Sequence, residues 1–315
     1  MRSIVQQRNV VWVTEPIHAD AIKLLSDSAE VLGPGAVPDA RRADVTALIV
    51  RAHPVDESLL ESLPNIKVIG KHGAGTDNID MEAADRRKLQ VFRAEGANAE
   101  SVADLAILLA MMLLRSPDLH DRAIRSAGAS PRTIPGGFEL SERRIAILGM
   151  GAIGRAVAAR LTGGFQADVS GYDPALPQGM WPAGVRRRDE LMEMLDDTDL
   201  LFLHLPLLPQ TRNLIDKAAL ARLGPGAMIV NCARGGIVDE AALAQALASG
   251  QIAAAASDVF ATEPPAPGTP LLAGSGRFIG TPHIGASTNA GLRRTGTIIV
   301  QKVLDALNSS EGETA

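Results

Sequence analysis

Short apolar runs recur along this chain, bounded by polar or glycine-bearing turns. Between them lie stretches whose apolar residues return at helical spacing. Residues 10–13, 47–50 and 67–70 read as buried strands, with helices at 19–26 and 56–63. Residues 101–115 form an alanine-rich helical stretch, whereas 116–137 holds prolines and glycines and reads as a looser segment. The alternation resumes near Leu140. Strands are expected at 145–148, 200–203, 228–230, 252–257 and 278–279, and helices at 189–195, 217–223 and 239–249. Residues 286–307 give a final helix, and 308–315 a polar tail expected to fray. Strand and helix in alternation imply a parallel sheet covered on both faces. No internal repeat or coiled-coil heptad interrupts the pattern.

Composition narrows the reading. A chain of 315 residues can hold two domains with proper cores. Aromatic residues make up only 3%, too few for base-stacking platforms, and the net charge of −5 argues against a polyanion as partner. Cys232 is the one cysteine, which excludes an intrachain disulfide and fits a reducing compartment. The N-terminus lacks the apolar core of a signal peptide, and no apolar run reaches the length of a membrane span. A soluble, cytoplasmic protein is expected.

The densest chemical signal begins with the strand at 145–148. It leads into Gly149-Met150-Gly151-Ala152-Ile153-Gly154, then a helical run at 156–161, then a second strand ending at Asp173. A dinucleotide needs this order: a glycine for the tight turn, one for backbone approach to the pyrophosphate, and one for helix–strand packing. The helix N-terminus then offers unpaired amides and partial positive charge to the phosphates. Asp173 lies 19 residues beyond Gly154, near the spacing of an acid that bonds the adenosine ribose. A carboxylate there repels a 2′-phosphate, so NAD is expected over NADP. Arg186, Arg187 and Arg188 come late for the usual phosphate pocket, yet keep NADP open.

Three further segments each follow a strand. Asn231-Cys232-Ala233-Arg234 ends in an arginine, Asp258 to Pro265 carries Glu263 on a proline-bearing loop, and Thr281-Pro282-His283 presents a histidine. A guanidinium grips a 2-oxo acid through its carboxylate and carbonyl oxygens. A histidine gives or takes the alcohol proton, and a carboxylate beside it orients the ring and favours its charged form. Because the dinucleotide unit starts well inside the chain, an α/β region precedes it, and ligands are expected in a crevice between two domains at strand C-terminal ends.

From about Ala47 to Thr288, these residues resemble the D-specific 2-hydroxyacid dehydrogenase family, nearest to its phosphoglycerate dehydrogenase branch. The resemblance implies an α/β protein of two doubly wound parallel-sheet domains. A Rossmann NAD-binding domain (98–285) is inserted into a flavodoxin-like substrate-binding domain (1–97 with 286–315). It implies an NAD-dependent enzyme interconverting a D-2-hydroxy acid and its 2-oxo acid. The 3-phosphoglycerate reaction is one candidate, and glyoxylate or hydroxypyruvate reduction the alternative. Arg234 would bind substrate, His283 would be the acid/base and Glu263 its partner. Arg51 would hold a distal anionic group, and the amides of Ala74 and Gly75 the substrate carboxylate. NAD would be held by Gly149, Gly151, Ala152, Ile153, Gly154 and Asp173. Leu205, Pro206 and Thr211 would lie beneath the adenine side, Cys232 and Ala233 along the cofactor through backbone, and Asp258 by the carboxamide, with Gly285 nearby. A homodimer is implied, with the segment after the 101–115 helix reaching the other subunit.

The chain departs from the family where Ala152 stands in place of a frequent arginine, which puts one pyrophosphate contact in doubt. No further domain follows the final helix, so the serine-feedback module of some relatives is expected to be absent. His204 reads as non-catalytic, Cys232 as packed rather than nucleophilic, and Lys71 and His72 as solvated loop residues. His18, His53 and His120 are scattered without metal-ligand spacing. The acids at Asp196, Asp197 and Asp199 read as a solvated turn. A second class remains: an NADH-sensing corepressor-like protein that binds partner peptides.

Overall fold

A computed structural model describes residues 8–127 and 136–312. The chain divides into two compact units, residues 1–98 with 287–315, and residues 99–286.

The first unit runs β1 (Val10–Val13), α1 (Ala19–Ser28), β2 (Glu30–Leu32), α2 (Asp39–Arg42), β3 (Val45–Val50), α3 (Glu57–Glu61), β4 (Val68–Lys71), α4 (Met81–Arg86) and β5 (Gln90–Arg93). Its five strands are parallel in the order β2-β1-β3-β4-β5, the flavodoxin-like winding. One face packs on α1 and on the returning C-terminal helix through Leu25, Ile49, Ile299 and Val303. The other is covered through Leu48, Leu60, Leu63 and Ile69.

The second unit opens with α5 (Ala99–Arg115) and α6 (Pro117–Ala127). It continues through β6 (Ile145–Leu148), α7 (Ala152–Gly164), β7 (Val169–Tyr172), β8 (Val185–Arg187), α8 (Leu191–Asp196) and β9 (Leu200–Leu203). It closes with α9 (Lys217–Arg222), β10 (Ala227–Asn231), α10 (Glu240–Ser249), β11 (Ile252–Ser257), α11 (Pro270–Ala273) and β12 (Phe278–Gly280). The final helix, α12 (Asn289–Gly312), belongs to the first unit. The parallel strand order β12-β11-β10-β9-β6-β7-β8 is the Rossmann winding, with its topological switch between β6 and β9. Central strands β6 and β9 are buried at every position, because helices cover both faces of the sheet.

Some expectations needed correction. Residues 117–127 are helical rather than loose, since Asp118, Arg122, Asp121 and Arg125 pair at i,i+4 and Arg277 holds Asp118 from the sheet side. The rest of that segment, 128–135, lies outside the described residues. The expected tail continues α12 to Gly312, and 313–315 lie outside the described residues. Strands β2, β5 and β8 went unread because each is short, lies toward a sheet edge and carries polar residues. Among the described residues no helix is long and apolar enough to cross a membrane.

Candidate active site

The glycine turn leaves β6 at the switch point. Gly149 has φ +89°, and a Cβ there would lie 2.5 Å from the His204 carbonyl oxygen, so only glycine fits against the loop after β9. A Cβ on Gly154 would lie 1.9 Å from the Gly149 carbonyl oxygen, which fixes how closely α7 follows the turn. Gly151, by contrast, faces open space, and as N-cap it supplies no side-chain cap to the first turn of α7. Uncapped first-turn amides, a positive helix end and an open approach fit a pyrophosphate. Ala152 and Ile153 sit in that first turn.

Asp173 follows β7 and is brought back to the same turn. Its Oδ2 accepts from the Met150 amide (2.9 Å) and its Oδ1 from the Ala175 amide (3.0 Å). The three nearby arginines are occupied elsewhere. Arg186 pairs with Asp168, Arg187 with Asp189 while lying over the Trp181 ring, and Arg188 with Asp197. That leaves the acid, rather than a cation, beside the glycine turn.

On the other side of the switch, the loop after β9 closes on Thr211, whose hydroxyl donates to Pro206 O and accepts from the Leu208 amide. Leu205 packs against the sheet. The His204 ring nitrogens are buried without a hydrogen-bond partner, and burial pushes the ring down to about 3, so it stays neutral. Cys232 is buried, and burial together with the Asp258 charge pushes its thiol well up, which removes it as a nucleophile.

The three candidate groups, Arg234, Glu263 and His283, follow β10, β11 and β12. His283 Nδ1 lies 2.7 Å from Glu263 Oε2, and Glu263 Oε1 accepts from the Phe260 amide (3.1 Å). Burial alone would push the Glu263 carboxyl up. The bonds from His283 and Phe260, and the charges of His283 and Arg234, outweigh it and hold the group below the usual carboxylate range. An ionised carboxylate only accepts, so Nδ1 carries the proton and faces Glu263, and Nε2 is the nitrogen turned away from it. Arg234 is half-buried and fixed to its own strand end, where Nη1 donates to Ala233 O (2.7 Å).

His283 has φ +54°, a left-handed conformation that costs a non-glycine residue about 1–2 kcal/mol. Buried Asp258 offsets this. Its carbonyl accepts from the His283 amide (2.8 Å), and its carboxylate from Thr281 Oγ1 (2.6 Å), Ile284 N (2.8 Å) and Gly285 N (2.8 Å). Asp258 therefore anchors the histidine turn, a role its place in the sequence did not announce. Asn231 was missed likewise: its Oδ1 accepts from Ala233 N and its Nδ2 donates to Arg234 O, pinning the arginine loop. An asparagine three residues before the arginine was the only available signal.

In the first unit, Arg51 follows β3, and the turn containing Ala74 and Gly75 follows β4. Glu15 was not singled out, yet it organises the Arg51 loop. Its carboxylate accepts from the amides of Arg51 (2.8 Å), Ala52 (2.6 Å) and His53 (3.0 Å) and from the Thr14 hydroxyl (2.6 Å). Burial opposes ionisation of Glu15, but these four donors win and lower its pKa. The Arg51 guanidinium donates to Pro16 O (3.0 Å). Lys71 and His72 are buried rather than solvated. Lys71 Nζ donates to Arg51 O, and burial with the nearby Arg51 charge pushes His72 down to about 4. The acids expected to form a solvated turn are paired too: Asp196 with Arg222, Asp197 with Arg188, and Asp199 with Arg144.

Residues 107–285 match the family described as D-isomer specific 2-hydroxyacid dehydrogenase, NAD binding domain. The chain is 37% identical over 309 residues to a D-3-phosphoglycerate dehydrogenase of Methanocaldococcus jannaschii, covering 96% of this chain but 58% of that relative. The chain thus spans little more than half the length of that relative. It is 34% identical to a hydroxypyruvate reductase of Thermotoga maritima, covering 94% of this chain and 98% of the relative. Among solved structures, the TT0316 protein from Thermus thermophilus superposes with a TM-score of 0.85 at 29% identity, covering 95% of this chain and 97% of that one.

Proposed function

This chain belongs to the D-isomer specific 2-hydroxyacid dehydrogenase family, and from that premise we propose that it interconverts a D-2-hydroxy acid and its 2-oxo acid with NAD. The observation that carries this reading is the His283–Glu263 pair at 2.7 Å, in a unit whose glycine turn leaves its helix amides open.

When bound, NAD supplies the hydride acceptor or donor. The protein's residues do the rest. Glu263 holds Nδ1–H of His283, so Nε2 takes the hydroxyl proton in oxidation and returns it in reduction. Arg234 grips the carboxylate end and polarises the carbonyl. The first unit takes a substrate-holding role of its own, through the amides of Ala74 and Gly75. Arg51 meets a distal anion. Gly149, Gly151, Ala152, Ile153 and Gly154 hold the pyrophosphate, and Asp173 the adenosine ribose. Leu205, Pro206 and Thr211 lie beneath the adenine, while Cys232, Ala233, Asp258 and Gly285 line the nicotinamide end. The exposed apolar residues Leu108 and Met111 on α5 and Ile124 on α6 support a homodimer joined through that region. Cytoplasmic residence belongs to the same reading, supported by the lone cysteine.

Hydroxypyruvate, phosphohydroxypyruvate, glyoxylate and sulfopyruvate, each monitored by NADH absorbance, test the proposal. Phosphohydroxypyruvate is the expected best substrate, with Arg51→Ala raising its KM more than that of glyoxylate. Preference for hydroxypyruvate or glyoxylate, insensitive to Arg51, would move the assignment to the reductase alternative. NADH binding without turnover of any of the four would favour a sensor over an enzyme.

A further inference from the structure

Glu263 sits on an exposed loop, residues 261–264, yet its carboxylate must stay within hydrogen-bonding distance of one imidazole nitrogen. One tie is the bond its Oε1 accepts from the amide of Phe260, at the buried root of the loop. A second tie, to the exposed stretch itself, comes from α10. Glu240, the first residue of that helix, reaches out of its own element and accepts from the Ala261 amide at 2.6 Å. The adjacent amides of Phe260 and Ala261 are therefore held by two different carboxylates, Glu263 and Glu240.

The loop is also pressed against the Arg234 segment. A Cβ on Gly235 would lie 1.9 Å from the Phe260 carbonyl carbon and oxygen, so the two backbones are in direct contact. Phe260 is buried and meets Phe278 edge-on, which roots the start of the loop. Beyond Phe260, Glu240 ties the exposed stretch back to a helix.

An acid in the first turn of a helix has an ordinary explanation, its attraction to the positive end of the helix dipole. That explanation depends on charge and not on reach. N-cap Asp239 already accepts from the amides of Ala241 and Ala242, so α10 has its cap without Glu240.

We propose that Glu240 is a positioning residue: by accepting the Ala261 amide it holds Glu263 in register with His283, and so determines which ring nitrogen carries the proton. This rests on reading His283 as the acid/base. The chain of action is Glu240 to the Ala261 amide, the loop to Glu263, and Glu263 Oε2 to Nδ1–H, with Nε2 presented to substrate.

Two substitutions separate reach from charge. Glu240→Gln removes the charge but keeps a side-chain oxygen at the same distance. Glu240→Asp keeps the charge at the helix end but is one methylene too short. In protein labelled with 15N-histidine, the ring nitrogens of His283, assigned by loss of the signal in His283→Ala, report the tautomer of the neutral ring. Wild type and Glu240→Gln are expected to show the Nδ1–H form. Glu240→Asp is expected to shift toward the Nε2–H form that a free histidine side chain prefers. With an accepted 2-oxo acid, Glu240→Asp should lower kcat on the order of tenfold, with NADH affinity unchanged and Glu240→Gln near wild type. A wild-type tautomer and kcat in Glu240→Asp would overturn the proposal. So would a loss in Glu240→Gln equal to that in Glu240→Asp with a fallen Tm, which would mark a helix-stability role. Because the tautomer is read without substrate, it decides the positioning role even if no 2-oxo acid is turned over. The latter result would count against the dehydrogenase reading alone.

Discussion

Two loops, each following a parallel strand, present runs of backbone amides, and they treat them in opposite ways. After β3, the amides of Arg51, Ala52 and His53 all donate to Glu15, so the anion this nest could bind is a side chain of the protein itself. After β6, the first turn of α7 follows Gly151, which has no side chain to give. The first loop's amides are already filled, while those of the second have no side-chain acceptor. Polar capacity left unspent inside an otherwise satisfied fold marks a binding site better than polarity does. The same distinction applies to the histidines. His72 and His204 are buried and held neutral, whereas His283 has one nitrogen committed to Glu263 and the other left over.

The largest effect should come from removing that remaining nitrogen. His283→Ala is expected to lower turnover about 10²–10⁴-fold while NADH still binds, because the open amides of α7 are untouched. Stopped-flow or steady-state rates beside NADH fluorescence titration would show it. Near wild-type turnover would remove His283 as the acid/base. Next is the glycine turn. Gly154→Ala places a methyl against the Gly149 carbonyl and is expected to cost about 1–3 kcal/mol of stability, with weakened NADH binding. Unchanged melting and affinity would mean that α7 can shift at little cost.

The filled nest makes its own test. Glu15→Ala should destabilise the first unit by about 1–2 kcal/mol, since three amides lose a charged acceptor but gain access to water. The sign with pH follows from the lowered pKa. The Glu15 contribution is present above its unfolded-state pKa and is lost as pH falls through the lower folded value. Urea denaturation at neutral and acidic pH should therefore give a Glu15→Ala penalty that shrinks on acidification. A constant penalty would show that the carboxylate's charge is not what the nest holds. The smallest effect is expected at Asp173. Replacing it with alanine should shift the NAD over NADP preference about tenfold toward NADP, and only part way, because Arg186, Arg187 and Arg188 are already paired. An unchanged ratio of kcat/KM values would mean the ribose is read elsewhere.

What was legible along the chain was what neighbours along the chain decide. Central strands β1, β6, β9 and β11 announce themselves because burial on both faces forces continuous apolar runs. The glycine turn is legible because steric demands at Gly149 and Gly154 leave little choice of residue. Edge strands β2 and β8 were not, since polar residues there are stabilised by pairs such as Arg41–Glu30 and Arg186–Asp168, formed across 11 and 18 residues; in α6 the local i,i+4 pairs are joined by Arg277–Asp118, formed across 159. Arg234, Glu263 and His283 were singled out as candidates by residue type and context. Glu15, Asn231 and Glu240, which hold the loops in place, were not, because an acid or amide near a strand or helix end has many ordinary uses.

The order of residues was enough to indicate parallel α/β structure and a dinucleotide turn and to single out candidate groups for proton transfer, since apolar periodicity and glycine sterics act over a few residues. Only the folded chain decided which amides Glu15 fills and which α7 leaves open, which arginines are already paired, and which nitrogen of His283 stays available. Hydrogen bonds and ion pairs are settled by distance in space, and their partners here come from strands and loops tens of residues apart.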